Sequence, residues 1–109
     1  MIVLKPGISE KLTQMMVTQP TPTAPTLLTA TDLGQGDVIR IVWSGGVPFF
    51  NVYYRLTSGG PFVLANGTPI LNTITQYDVG GLELGTDYTF IVRGINGLGI
   101  ESGNSNEVA

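Results

Sequence analysis

The side chains that could do chemistry are few. Asp32, Asp37, Asp78 and Asp87 are oxygen donors of the kind that gather around a hard cation such as calcium. Each lies beside a turn segment, where Asp serves because its short side chain hydrogen-bonds nearby backbone. They read as turn residues, and no metal site is expected. The 109 residues include no His and no Cys. That removes the commonest general base, the commonest metal ligand, zinc thiolate sites, and the Ser-His-Asp and Cys-His constellations. Carboxylate pairs are the remaining acid–base device, and none stands in a cleft-like context. The expectation is a protein that is not an enzyme and has no cofactor. Asn66-Gly67-Thr68 matches the glycosylation sequon, but Asn-Gly here reads first as a hairpin turn. Glycosylation would need a secretory route, and Met1-Ile2-Val3-Leu4-Lys5-Pro6 has no charged stretch ahead of a long apolar run.

Charge and composition narrow the partners. The formal charge is −3 and unevenly placed. Lys5 and Lys11 stand against Glu10 in the first twenty residues, whereas Arg40, Arg55 and Arg93 face seven acids in the remainder. An acidic domain with three arginines offers no phosphate-binding stripe, so nucleic acid is not an expected partner. Apolar runs are a handful of residues long, against the roughly 20 needed to span a membrane. The chain is 42% hydrophobic and 12% charged, with 15 Gly and 7 Pro. Such a makeup favours many short strands joined by turns in a single domain.

The elements that must carry any site follow from the hydrophobic period. Ile39, Ile41 and Trp43 alternate with Val38, Arg40 and Val42; Phe50, Val52, Tyr54 and Leu56 alternate with Asn51, Tyr53 and Arg55. Period two marks half-buried strands. Gly-, Pro- and Asn-rich turns recur between such runs, and the reading is strands near 26–31, 37–43, 49–57, 61–65, 73–79, 86–95 and 104–108. Without cysteine, the two sheets must be held together by packing alone. Ahead of the strands, three prolines in residues 20–25 favour a stiff extended spacer. Three segments result: an arm over 1–19, a spacer over 20–25 and a sandwich over 26–109.

Taken as a set, Trp43, Phe50-x-Val52-x-Tyr54, Leu82-x-Leu84-x-Thr86-x-Tyr88, Asn96-x-x-Gly99-x-x-Ser102 and Val108 resemble the fibronectin type III family. The resemblance covers about residues 22–109. It implies an all-β, seven-stranded immunoglobulin-like sandwich with Trp43 as its central core residue. It also implies a tyrosine corner, in which Tyr88, preceded by Leu82 and Thr86, bonds back to upstream backbone. Leu84 replaces the proline usual in that turn. Gly94 stands where the family commonly has alanine and is expected to weaken its strand by a fraction of a kcal/mol. The family has no chemistry of its own, so function rests on surfaces. The loop over 94–102 lies where family members often place recognition residues, and Asn96, Leu98 and Ile100 are its candidate outer contacts.

The arm is the most informative surface. Ile2, Val3, Leu4, Ile8, Leu12, Met15, Met16 and Val17 put eight apolar side chains in seventeen residues, too many for a solvated tail. Residues 2–4 suit strand addition to a partner. Over 9–17, Ser9 can cap a short helix whose Leu12, Met15 and Met16 share one face and suit a groove. Arm, spacer and one sandwich resemble the small accessory proteins that decorate bacteriophage particles. This implies a capsid or tail protein as partner, a virion-surface location, and weak contact with host-surface glycans strengthened by many copies. The alternative is a spacer or binding module of a secreted or cell-surface bacterial carbohydrate-active enzyme. The start at Met1 reads against it.

Overall fold

In the computed structural model the described residues are 21–34 and 37–109. The arm residues Ile2, Val3, Leu4, Ile8, Leu12, Met15, Met16 and Val17 lie outside them.

Seven ladder strands form among the described residues, with apolar alternation clearest in the second and third: β1 (Thr26–Asp32), β2 (Ile39–Ser44), β3 (Phe49–Leu56), β4 (Gly59–Leu64), β5 (Ile70–Leu71), β6 (Gln76–Val79) and β7 (Tyr88–Ile95). They form two sheets. One has the order β1-β2-β6; in the other, β3 pairs with β7 along one edge and with β4 and β5 along the opposite edge. All pairings are antiparallel. The inner faces meet over Leu27, Ile41, Trp43, Phe50, Val52, Phe90 and Val92. Trp43 is 1% exposed and its ring packs on Phe50 at a centroid distance of 5.4 Å, tilted by 60°.

Three sequence expectations are corrected. First, 104–108 is not a ladder strand. The C-terminal segment runs beside β7 but bridges it only at Ile95–Glu101 and Phe90–Val108. Between those points, serine hydroxyls take the place of carbonyls: Ser102 Oγ accepts from the Gly94 N–H at 2.8 Å and Ser105 Oγ from the Val92 N–H at 2.9 Å. Asn106 then clamps β1, its Oδ1 accepting from the Leu27 N–H and its Nδ2 donating to the Leu27 carbonyl. Second, Asn66-Gly67 is not a hairpin. β4 and β5 both lie on the same edge of β3, so the chain continues along that edge. Asn66, 3% exposed, fills the gap by accepting from the Val52 N–H at 2.7 Å. Its Nδ2 donates to Asn51 Oδ1 and the Thr68 carbonyl. With both donors of that amide engaged, the sequon is closed to modification in the folded domain.

Third, Gly94 is not a weakness. A Cβ there would lie 2.7 Å and 3.2 Å from the methyls of Val47 and 3.3 Å from the Thr23 carbonyl. Such approaches leave no room for a side chain. The absence of a Cβ lets residues 22–25 lie across the open end of the sandwich. Pro25 is buried, and Pro22 and Ala24 are half-buried. A Cβ at Gly45 would stand 3.1 Å from Pro25 and 3.0 Å from the Phe50 ring. The described part of the proline spacer is therefore seated on the domain.

Candidate functional site

The register sorts the loops into two poles. Because Thr26 pairs with Ser44 and Phe49 with Ile95, the entering segment 21–25, the 45–48 turn and the 96–100 loop share one end, the near pole. Because Asp32 pairs with Ile39, Ile39 with Val79, and Leu56 with Gly59 and Tyr88, the 33–38, 57–58 and 80–87 connections share the other, the far pole.

At the near pole Asn96 organises the 96–100 loop. Its Oδ1 accepts from the N–H groups of Leu98 at 2.9 Å and Ile100 at 3.0 Å. The Asn96 N–H donates to the Ile100 carbonyl, and the Gly99 N–H to the Asn96 carbonyl. Gly99, at φ 84°, makes the tight return possible. Asn96 is thus spent inside the loop and Ile100 is half-buried, while Leu98 stands 70% exposed at the tip. All three sit on the end where the arm joins the domain.

At the far pole Tyr88 closes the 80–87 connection by accepting from the Glu83 N–H at 2.9 Å, above the buried Leu82. The surface around it is acidic for a simple reason. Arg40 pairs with Asp78, Arg55 with Glu107 and Arg93 with Glu101. Among the described residues, the four side-chain carboxylates outside these ion pairs, Asp32, Asp37, Glu83 and Asp87, all line one open cavity of ≈ 270 Å³. Asp78, grouped with three of them by sequence, sits on β6. There the Arg40 guanidinium, first through its hydrogen bonds and also through its charge, holds the Asp78 carboxyl below its ordinary value. Among the described residues no three potential ligands converge on one point as a metal site requires.

The outer face of the β3–β7 sheet carries a polar network not expected from sequence. Glu101 accepts from Tyr53 Oη and from Asn51 Nδ2 on one carboxylate oxygen. Its other oxygen accepts from Arg93 at 3.2 Å. Arg93 also lies over the Tyr53 ring, 4.5 Å from its centroid, and donates to Asn104. Asn51 and Arg93 are register partners, as are Tyr53 and Ile91. The network therefore covers Ile91, which is fully buried on this outer face. Alternation places Asn51, Tyr53 and Arg55 on this face, but no spacing signal ties Glu101 to them.

The Glu101 carboxyl is pulled both ways. Burial pushes it up, but the hydrogen bonds from Tyr53, Asn51 and Arg93, with the charge of Arg93, bring it below its ordinary 4.5. The unfolded chain then takes up the proton first as pH falls. The contribution of Glu101 is complete above about 4.5 and disappears as pH drops through the lower folded value. Because the pair is part-exposed, its size is a few tenths to about 1 kcal/mol. We expect the melting temperature to fall more between about pH 6 and about pH 3 for the native chain than for Glu101→Gln, by thermal circular dichroism. Equal falls would show that the network is energetically silent.

No protein-family profile matches the sequence, and no curated protein sequence does. Solved structures do. The chain is 31% identical to an Fn3-like protein from Clostridium thermocellum, with 81% of this chain and 90% of that one covered and a TM-score of 0.68. It is 24% identical to titin module A71 from human cardiac muscle (80% and 85% covered, TM-score 0.59). To the FN5 domain of Drosophila Lar it is 18% identical (81% and 92% covered, TM-score 0.63). These last two show the fold alone. The first is close enough in sequence, over nearly the full length of both domains, to decide the family. With two antiparallel sheets around Trp43 and a tyrosine corner at Tyr88, the chain belongs to the fibronectin type III family of binding and structural modules.

Proposed function

We propose that the chain is a non-enzymatic structural and binding protein of a virion, held to a capsid or tail protein by its N-terminal arm and displaying the fibronectin-like domain at the particle surface. The observation that carries this reading is the junction at the near pole. Eight apolar side chains lie directly upstream of a segment seated on the domain through Pro25, Gly45 and Gly94. A seated junction gives the arm a defined point of departure and couples its grip to the position of the domain. The described cavities are shallow and open, which suits weak contact with host-surface glycans repeated over many copies. Among the described residues no helix is long and apolar enough to cross a membrane.

Two measurements test this. The first is timed trypsin digestion of the dilute protein. Lys5 precedes Pro6 and resists, and Arg40, Arg55 and Arg93 lie in β2, β3 and β7, so Lys11 is the reporter. Rapid cleavage after Lys11 with an intact sandwich is expected of an arm that is free to grip a partner. Protection in the monomer would remove the attachment reading. The second is mass spectrometry of density-purified particles from the encoding strain. The chain is expected in the particle band in a fixed ratio to the major capsid or tail protein. Recovery only with secreted enzymes would overturn the virion assignment.

A further inference from the structure

Among the large apolar side chains exposed on the described domain, Val63 and Leu64 belong to β4, Leu71 to β5, and Ile74 to the turn that follows β5. Here the β4 and β5 edge of one sheet meets the β6 edge of the other, tied by the Tyr77 hydroxyl donating to the Ala65 carbonyl. Toward the near pole, where Leu71 pairs with Phe49, the surface beside that edge hollows into a depression of ≈ 410 Å³ walled by Pro69, Leu71, Ile74 and Tyr77, with no charged residue in its lining. Leu71 is 55% exposed and Ile74 47%. Single exposed apolar residues are unremarkable, but two that wall one uncharged depression mark a contact surface.

The place where residues 1–20 join the domain says what fits there. The Thr23 carbonyl lies against Gly94 of β7, and Asn106 of the C-terminal segment holds Leu27 of β1. The chain therefore enters along the β1 and β7 side, opposite the depression. An arm of twenty residues can extend up to about 66 Å, well beyond one domain width, and it is rich in the apolar side chains that an uncharged depression accepts.

We propose that the arm of one copy docks in the depression of a second copy. This rests on the reading that the arm grips a protein, and puts another molecule of the same chain where that reading puts a capsid or tail protein. Donor and acceptor lie on opposite sides of the domain, so the contact is heterologous. Each copy gives an arm on one side and receives one on the other, which builds a ring if the rotation closes and an open row if it does not.

The test uses three full-length proteins: the native chain, an arm variant (Leu4→Asp/Leu12→Asp/Met16→Asp) and a depression variant (Leu71→Glu/Ile74→Glu). Leu71 and Ile74 are exposed, so unchanged melting of the depression variant checks its fold. By light scattering after gel filtration, the native chain is expected to gain mass with concentration. Either variant alone should weaken self-association at least about tenfold. The two variants mixed should form a 1:1 heterodimer and stop there, since one retains the arm and the other the depression. A native chain that stays monomeric, a depression variant that still assembles, or a mixture without heterodimer overturns the proposal. In a native monomer, rapid trypsin cleavage at Lys11 would leave the arm available for another protein, whereas a protected Lys11 would overturn the attachment reading as well.

Discussion

Trp43→Ala is expected to unfold the domain under conditions where the native chain is fully folded. Trp43 is 1% exposed and packs its ring, tilted, on Phe50 between the two sheets. Truncating a buried aromatic of this size costs about 3–5 kcal/mol, because the transfer free energy is lost and the cavity closes only in part. A domain has about 5–15 kcal/mol in total, and one this small, held by a single core without disulfides, sits near the lower end, where that loss leaves little or nothing. Urea denaturation followed by far-ultraviolet circular dichroism should show a midpoint lowered by more than about 2 M, or no folded baseline. Trp43→Phe gives the contrasting result. The indole Nε1 is buried without a hydrogen-bond partner among the described residues, so Phe loses volume but also removes an unsatisfied donor, a penalty of about 1–3 kcal/mol. The Phe variant should therefore retain most of the stability that the Ala variant loses. Equal losses would mean that the indole N–H is satisfied in solution.

Gly94→Ala is the second large effect, and its sign runs against the usual gain from replacing glycine in a strand. The new Cβ would press on the Val47 methyls and the Thr23 carbonyl at distances below normal contact. Overpacking of this kind costs about 1–3 kcal/mol. The Val47→Ala change removes the atoms responsible, so Gly94→Ala/Val47→Ala should be more stable than the sum of the single effects, a coupling of about 0.5–3 kcal/mol in a double-mutant cycle. Because the same Cβ also displaces Thr23, the single variant should expose residues 22–25 to faster amide exchange. A Gly94→Ala protein as stable as the native chain would sink this account.

The contrast between these two positions shows what the sequence made legible. Trp43, Phe50 and Val52 were readable as core because period-two alternation depends only on neighbours along the chain. Tyr88 could be placed through the spacing of Leu82 and Thr86, which lie in the same short connection. The role of Gly94 was not readable, since it is set by Val47 and Thr23, far away in sequence. The 104–108 segment looked like a strand, but Ser102 and Ser105 satisfy β7 with side-chain oxygens, and periodicity does not register such substitutions. β5 is two residues long and exists because Phe49 and Phe50 offer it an edge. Glu101 joins Tyr53, Asn51 and Arg93 only once β3, β7 and the C-terminal segment are in register.

The distribution of carboxylates at the far pole has a consequence for geometry beyond the single molecule. With Arg40, Arg55 and Arg93 neutralised locally, the described domain is an electric dipole whose negative end is the far pole. Copies standing side by side with their near poles together would repel most strongly at the opposite tips. Screening over about 8 Å at physiological salt weakens that repulsion but does not remove it at close spacing. Such a row would splay outward and follow a convex surface. Low ionic strength should tighten that curvature and high ionic strength should flatten it.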